Sequence, residues 1–271
     1  MTTKTLAISQ VTLTVHDLDR MSDFYQRVIG LHLLHADAAS ANLGVEGRTL
    51  LELRKDTAAR RRSNREAGLF HTAFLLPSRA DLGRWLGHGA RVRAPLVGAS
   101  DHLVSEALYL SDPEGNGIEI YSDRPAESWT WHNGQVTMST EALDLENLMA
   151  AGQGGEWKGF PAGSTIGHVH LQVGAIAPAE AFYAGTLGLG ITCRYPGGTF
   201  YAVDGYHHHI ATNIWNSRGA PVREMPSTGL TELRLALSPE RLAATLAKLP
   251  QAPLTDPWGT PIALVPALVA A

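Results

Sequence analysis

The feature that most constrains the fold of this chain is an internal repeat. A strand-like segment, an amphipathic segment and further strand-like segments occur near the N-terminus and again in the second half. Four pairs of identical residues keep one offset of 158 residues: Val15 and Val173, Tyr25 and Tyr183, Gly30 and Gly188, Leu31 and Leu189. A constant offset across a strand and a helix indicates a duplicated structural unit rather than chance composition.

Each half of the chain divides again into two similar units. In the first unit, the alternating segment 8–15 predicts a strand, Asp17 predicts the N-cap of a helix, and three strand-like segments follow. The later units begin at comparable segments: Leu69–Leu76, Ile166–Val173 and Gly229–Leu237. We therefore predict an α+β fold of four βαβββ modules, with an N-terminal domain over residues 1–125, a connecting arm over 126–163 and a C-terminal domain over 164–271.

Composition restricts the classes of function. The chain has 271 residues, of which 44% are apolar, and a formal net charge of −4. These values indicate a globular protein without the positive charge that attracts nucleic acid or anionic membranes. Cys193 is the only cysteine, so a disulfide framework is excluded and a reducing cytoplasm is expected. The N-terminal segment lacks an apolar stretch of signal-peptide length. We expect a cytoplasmic protein, and the sequence leaves open whether it forms a homo-oligomer.

The stretch 101–123 carries an unusual carboxylate. Its run Asp-Pro-Glu-Gly-Asn-Gly predicts a tight turn between two strands, because proline fixes φ and glycine readily adopts positive φ. In the second strand, Glu119 interrupts a β-branched and aromatic pattern. A carboxylate in this position marks either the solvated face of a strand or a functional site.

The repeat allows equivalent positions of the four modules to be compared. At one equivalent position in the first strand of each module, the sequence is expected to place Gln10, His71, His168 and Thr231, in the order of the modules. At the place of Glu119, the fourth module carries Ala263. Two imidazoles and one carboxylate that leave coordination positions open are the donors that suit Fe(II). These donors meet only if modules two and three pack together around one site. Pairing module one with two and module three with four would leave His168 without partners.

Two further patterns make the chain resemble a known group of proteins. The first is Y-x-x-D-P-x-G-N-x-x-E, from Tyr109 to Glu119, and the second is H-H-I-A, from His208. His71 lies 48 residues before Glu119, and His168 lies 40 residues before His208. Together these patterns resemble the vicinal oxygen chelate (glyoxalase/bleomycin resistance/dioxygenase) superfamily, and within it the type I extradiol dioxygenases of the catechol 2,3-dioxygenase sort.

The resemblance implies both a fold and a set of site residues. The four modules would form two cup-shaped mixed-sheet barrels, the vicinal oxygen chelate fold. The roles implied are metal binding for His71, Glu119 and His168, and catalysis for His208, Tyr109 and, by a looser match, His102. The chain departs from the larger extradiol enzymes in module order, because the unit with two metal ligands comes first here.

The activity implied by the resemblance is that of a non-haem Fe(II) dioxygenase of aromatic catabolism, and Mn(II) would also fit. Its partners would be O₂ and a small aromatic diol, cleaved to a hydroxymuconic semialdehyde. Two alternatives stay open. One is a glyoxalase-like metal-dependent lyase or isomerase, whose sites usually include a second carboxylate. The other is a metal-free small-molecule-binding protein of the bleomycin-resistance type.

The segment HHHIATNIW, which begins at His207, contains no acidic residue, which favours the open iron site. If the segment is a strand, His207 and His209 face away from His208, and their roles stay open, as does that of His170. Three aromatic residues are expected to pack in the core rather than line a pocket: Phe200, Tyr206 and Trp215.

Overall fold

A computed structural model describes residues 4–249 and 253–267 of the chain. The helices are α1 (Leu18–Phe24), α2 (Arg79–Val92), α3 (Leu145–Ala151), α4 (Ile176–Glu180) and α5 (Pro239–Leu246). The strands are β1 (Leu6–Val15), β2 (His32–Ala36), β3 (Ser40–Val45), β4 (Arg48–Lys55), β5 (Gly68–Leu75), β6 (Leu96–Asp101), β7 (Ser105–Ser111), β8 (Gly117–Asp123), β9 (Trp131–His132), β10 (Gln135–Val136), β11 (Thr165–Gln172), β12 (Gly190–Tyr195), β13 (Gly198–Ala202), β14 (Ile210–Asn213), β15 (Gly229–Leu237) and β16 (Ile262–Pro266). The predicted α+β class is confirmed. Among the described residues, none of these helices combines the length and apolar character needed to cross a membrane.

The modules pair in a crossed arrangement. β1 of module one lies antiparallel to β15 of module four, and β5 of module two lies antiparallel to β11 of module three. In modules one and two, the first strand also lies parallel to the last strand of its own module, as β1 does to β4 and β5 to β8. Each pair of modules forms one cup, as predicted, and both cups belong to one 14-stranded sheet, in which Ile8 of β1 meets Ile166 of β11.

Module four is shorter than the other three. Modules one to three have the predicted βαβββ order, whereas the described residues of module four form β15, α5 and β16. β16 lies parallel to β15, with Ile262 opposite Leu233. Among the described residues, the cup of modules one and four therefore has fewer strands than the cup of modules two and three.

A repeated tyrosine–aspartate hydrogen bond ties each odd-numbered module to the module that follows it. Tyr25, in the π-helical turn that continues α1, donates its O–H to Oδ2 of Asp112 over 2.9 Å. Tyr183 donates in the same way to Asp256 over 3.0 Å. The other carboxylate oxygen of Asp112 accepts two backbone N–H groups of the turn that follows, at 2.9 and 2.8 Å. Gly115 supplies the positive φ of that turn, +84°, so the predicted turn is confirmed.

The segment 126–163 packs against the rest of its own chain. α3 lies so close to α2 that a Cβ atom on Gly83 would fall 2.2 Å from the carbonyl oxygen of Leu148. Phe160 is buried, with its ring centroid 5.6 Å from that of Phe74. The segment therefore contributes to the hydrophobic core, while the domain boundaries at 125 and 164 stay a prediction.

Candidate metal centre

Three neighbouring strands bring His71, Glu119 and His168 together. On β5, Ala73 lies opposite Glu119 of β8 on one side and opposite His168 of β11 on the other. His71 precedes Ala73 by two residues and therefore points to the same face of the sheet. The small side chain of Ala73 leaves the space between its three larger neighbours open.

The ligand atoms of these side chains lie close enough to bind one ion. Nε2 of His71 is 3.0 Å and Nε2 of His168 is 3.1 Å from the same oxygen, Oε2 of Glu119. The two Nε2 atoms are 3.4 Å apart. Ligand atoms at right angles around an ion, each about 2.1 Å from it, are about 3.0 Å apart. The spacing therefore fits three adjacent positions of an octahedral site, which is the arrangement of the two-histidine, one-carboxylate iron centres.

The group contains a buried negative charge that a cation would neutralise. Glu119 is 2% exposed, and its salt bridges among the described residues are with imidazoles. Burial by itself raises the pKa of Glu119, but attraction and hydrogen bonds from His168 and His71 outweigh burial and hold the pKa well below its usual range. Burial lowers the pKa of His168 to about 4, against the opposing attraction of Glu119. At neutral pH a buried carboxylate thus lies beside an uncharged imidazole, an arrangement that favours a divalent ion.

A cavity of about 300 Å³ opens onto the three side chains. Phe200 and Trp215 line it, so the expectation that they pack only in the core is wrong. Met138 and Thr140 also line the cavity, and they come from the arm, which sequence reasoning did not connect with the site. Among the described lining residues there is no lysine or arginine. The cavity is therefore lined by aromatic rings, imidazoles and hydroxyl groups, with Glu119 as the acidic residue among the described lining residues.

Phe70 also lines this cavity, although it directly precedes His71 on β5. Strict alternation would turn the two side chains to opposite faces. The pairing of β5 with β11 passes from His71 to Leu69 and omits Phe70, which marks a bulge. A bulge turns a side chain away from its regular face, so alternation alone could not have found Phe70.

His102 and Tyr109 form a hydrogen-bonded pair on the cavity wall. Nδ1 of His102 is 2.6 Å from the backbone carbonyl oxygen of Ser139, which can only accept, so Nδ1 carries a hydrogen. Nε2 of the neutral ring is then an acceptor, and Tyr109 donates its O–H to it over 2.6 Å. Burial, followed by the charge of Glu119, raises the pKa of Tyr109 well above its usual value. Tyr109 therefore stays a phenol whose oxygen can still accept a hydrogen bond.

His208 lines the cavity beside His168, with ring centroids 4.0 Å apart. Nδ1 of His208 is 2.7 Å from Nδ1 of His207, and Nε2 of His207 is 2.8 Å from Oδ1 of Asp123. β14 begins only at Ile210, so the expectation that His207 faces away from His208 on a strand is wrong. Burial, reinforced by neighbouring imidazoles, lowers the pKa of His208 well below its usual value, so His208 is an uncharged base at neutral pH.

The cup of modules one and four carries different residues at the equivalent places. Thr12 lies opposite Glu232 across β1 and β15, as Ala73 lies opposite His168 across β5 and β11. Glu232 is therefore the counterpart of His168. The expectation that Thr231 occupies this place is wrong by one residue, which in a strand turns a side chain to the other face.

Module one also has a carboxylate at the place of Glu119, which sequence comparison missed. Glu52 lies opposite Thr12 on β4, as Glu119 lies opposite Ala73 on β8. Gln10 donates Nε2–H to Glu52 over 2.8 Å, and Arg54 donates to both carboxylate oxygens at 2.8 and 3.0 Å. An arginine therefore neutralises Glu52, whereas imidazoles face Glu119.

Known proteins share both the sequence and the architecture described above. The profile of the Glyoxalase/Bleomycin resistance protein/Dioxygenase superfamily matches residues 7–120. The chain is 40% identical to the catechol-2,3-dioxygenase of Bacillus subtilis (strain 168) over 232 residues, which cover 82% of this chain and 80% of the relative. It is 29% identical to biphenyl-2,3-diol 1,2-dioxygenase 3 of Rhodococcus globerulus over 143 residues, which cover 49% of this chain and 73% of the relative.

A solved structure supports the fold independently. Glyoxalase I from Zea mays superimposes with a TM-score of 0.58 at 14% identity, over 96% of this chain and 92% of that protein. At this identity the likeness concerns the fold alone. Taken with the 40% identity to a relative that is matched over 80% of its length, these findings show that the chain belongs to the Glyoxalase/Bleomycin resistance protein/Dioxygenase superfamily, the vicinal oxygen chelate proteins.

Proposed function

We propose that the chain is a non-haem Fe(II) extradiol dioxygenase that acts on a small catechol-type diol. In this reaction the ring C–C bond beside the two hydroxyl-bearing carbons breaks and both atoms of O₂ enter the product. A hydroxymuconic semialdehyde forms without an external reductant. The observation that carries the proposal is the buried group of His71, Glu119 and His168 at the base of an aromatic cavity. The likeness to a relative named catechol-2,3-dioxygenase supports it.

His71, Glu119 and His168 would be the three protein ligands of the metal. Three ligands on one face of an octahedral ion leave its other positions open. A bound Fe(II) would supply a common binding point for the diol and O₂ and a path for electrons between them. Mn(II) would also fit this donor set. The reducing cytoplasm expected from the lone Cys193 would keep iron in the ferrous state.

Tyr109 and His102 are proposed to receive a substrate hydroxyl. The O–H of Tyr109 is committed to Nε2 of His102, so the lone pairs of the phenol oxygen are available to a hydroxyl of the diol. Nδ1–H of His102 is held by the carbonyl oxygen of Ser139, which keeps the ring in this tautomer. The pair would orient the diol by accepting a hydrogen bond from a hydroxyl group that keeps its proton.

His208 is proposed as the acid/base group. Its uncharged ring, favoured by burial, can take a proton from the diol. The resulting imidazolium would be strongly acidic in the same environment and would return the proton later in the reaction. His208 contacts His207, which in turn contacts the carboxylate of Asp123. These contacts would stabilise the positive charge of His208 while it holds the proton.

The cavity favours uncharged diols over those that carry a carboxylate. Phe200, Trp215 and Met138 form apolar wall, and the described lining residues include no lysine or arginine to pair with an anion. An unpaired carboxylate would lose its hydration without compensation. Catechol and methylcatechols are therefore the expected substrates, and 3,4-dihydroxybenzoate is expected to react poorly.

The test is turnover by protein purified without oxygen and loaded with Fe(II). Catechol or 4-methylcatechol under air should give a yellow ring-fission product with equimolar uptake of O₂, and the metal-free protein should give neither. Absence of O₂ uptake with both diols despite bound iron would contradict the proposal. Isomerisation of the methylglyoxal–glutathione adduct by Zn- or Ni-loaded protein would instead support the lyase or isomerase alternative.

A further inference from the structure

The cavity contains another buried histidine, His170, to which the proposed reaction gives no role. His170 is 4% exposed and lies opposite His71 across β5 and β11. Its ring centroid lies 5.0 Å from that of Phe70 and 5.3 Å from that of Trp215. It lines the cavity with them. A polar ring enclosed mainly by aromatic side chains needs defined hydrogen-bond partners.

The partner of His170 determines which ring nitrogen carries the hydrogen. The backbone N–H of Trp215 can only donate, and it donates to Oδ1 of Asn213 over 3.1 Å. This contact orients the amide, so that Nδ2 of Asn213 faces Nε2 of His170 at 2.9 Å. An amide nitrogen can only donate, so Nε2 of His170 accepts. In the neutral ring the hydrogen is then on Nδ1.

Nδ1–H of His170 is left for a bound molecule. Among the described residues, no hydrogen bond uses Nδ1 of His170, and the ring lines the cavity. Because Nε2 accepts the hydrogen bond of Asn213, it carries no hydrogen itself, so the ring has its single hydrogen on Nδ1. Asn213 is fully buried at 0% exposure, which protects the contact that sets the tautomer.

We propose that His170 donates a hydrogen bond from Nδ1 to an anionic oxygen bound in the cavity, and that Asn213 is the positioning residue that sets this tautomer. The proposal rests on the proposed function, because such an oxygen comes either from a diol that has lost a proton or from O₂ that has gained electrons. With no lysine or arginine among the described lining residues, neutral N–H and O–H groups are the donors that the cavity offers.

The tautomer can be tested on the metal-free full-length chain by ¹⁵N NMR of labelled histidines. The signal of His170 is assigned by its loss in His170→Phe. The wild type should show hydrogen on Nδ1 and none on Nε2. In Asn213→Asp both carboxylate oxygens accept, so Nε2 of His170 should gain a hydrogen, whereas the exposed control Asn216→Asp should leave the signal unchanged. Hydrogen on Nε2 in the wild type, or an unchanged His170 in Asn213→Asp, overturns the proposal.

The function of the donor can be tested on Fe(II)-loaded protein with 4-nitrocatechol as the probe, without oxygen. Loss of one hydrogen bond to a charged group corresponds to roughly 10- to 100-fold in binding. If the acceptor belongs to the diol, His170→Phe should raise the Kd for 4-nitrocatechol by this factor, and His170→Gln, which keeps a donor, should recover much of it. If the acceptor comes from O₂, the Kd of His170→Phe for 4-nitrocatechol should equal that of the wild type, and its KM for O₂ in catechol turnover should rise instead.

The two proposals fail in different ways. Normal binding of 4-nitrocatechol and a normal KM for O₂ in His170→Phe would overturn the donor role of His170 and leave the dioxygenase proposal intact. Absence of turnover by the iron-loaded wild type would overturn the dioxygenase proposal, while NMR of the metal-free chain still decides the tautomer that Asn213 imposes.

Discussion

Nε2 of His71 and Nε2 of His168 lie 3.4 Å apart, although the two residues are 97 positions apart in the chain. Their strands, β5 and β11, belong to different halves of the sequence and pair directly. Two imidazole lone pairs that converge at this distance repel each other unless a hydrogen or a cation lies between them. Glu119 lies close to both nitrogens, which is the geometry behind the proposal that the three groups share one cation.

Replacing either imidazole should abolish metal binding. In His71→Ala or His168→Ala one of three donors is lost, so affinity should fall by more than the roughly 10- to 100-fold typical of losing an outer partner of a ligand. Metal content after anaerobic loading with Fe(II) and desalting measures this, and thermal unfolding shows whether the fold survives. The exposed His35→Ala is the control. Iron retained by a folded His71→Ala or His168→Ala variant would refute the ligand assignment.

The same chemical change at equivalent places of the two cups should have different effects. Glu119→Gln removes the negative charge that faces two imidazoles, so iron should be lost. Glu52→Gln makes the matching change where Arg54 already neutralises the carboxylate, so iron content should stay at the wild-type level. Metal analysis of both variants, prepared in parallel, measures the difference. Equal iron content in the two would mean that Glu119 is not a ligand.

His208→Ala should bind iron and lose turnover. The proposed general acid/base contribution predicts a fall of about 10²- to 10⁴-fold in kcat with catechol. Iron content and anaerobic binding of 4-nitrocatechol should remain close to wild type, because His208 is not among the proposed ligands. Stopped-flow absorbance at the product band measures the rate. Full activity in this variant would remove the acid/base role.

Acidification should destabilise the metal-free protein below about pH 6.5. Burial lowers the pKa of His168 to about 4 and that of His209 to about 3, from an ordinary value of 6.5. At pH values between these lowered pKa values and 6.5, the unfolded chain binds protons that the folded chain does not, so the free energy of unfolding falls as the pH falls. Each histidine contributes at most about 1.4 kcal/mol per pH unit there.

Urea unfolding at a series of pH values measures this dependence. His209 is not a proposed ligand, so His209→Gln should flatten the curve without changing metal binding at neutral pH. A free energy of unfolding that stays constant between about pH 6.5 and pH 4.5 would contradict the burial of neutral histidines.

Tyr25→Phe should lower the free energy of unfolding by about 1–3 kcal/mol, because it removes a buried hydrogen bond to Asp112. Tyr183→Phe should have a similar effect through Asp256. Chemical denaturation measures both, and Tyr195→Phe, at a partly exposed position, is the control. A change no larger than that of the control would show that these bonds do not stabilise the fold.

The repeat made much of the architecture predictable. The offset between Tyr25 and Tyr183 reflects a contact that the fold uses twice, and the strand predicted over Gly229–Leu237 has those bounds in the structure. The crossed pairing could be inferred because only that arrangement brings His71, Glu119 and His168 together. Duplication thus supplied comparisons that an unrepeated sequence would lack.

The errors arose where a strand departs from regular alternation. β15 pairs with β1 through two register shifts, one of which passes over Thr231, so regular spacing predicts Thr231 where the structure has Glu232. The bulge at Phe70 and the late start of β14 at Ile210 had no signal in the periodicity. The contribution of Met138 depends on where a long irregular arm packs, which local sequence does not determine.

The pairing of β5 with β11 has a consequence for synthesis on the ribosome. Until Thr165–Gln172 has been translated, one edge of β5 lacks its partner, and that open edge is apolar. An open strand edge of this kind invites association with other chains. A nascent polypeptide arrested between the two halves should therefore be aggregation-prone and unable to capture iron. Fragments separated at the arm should stay soluble and bind iron only when they are mixed.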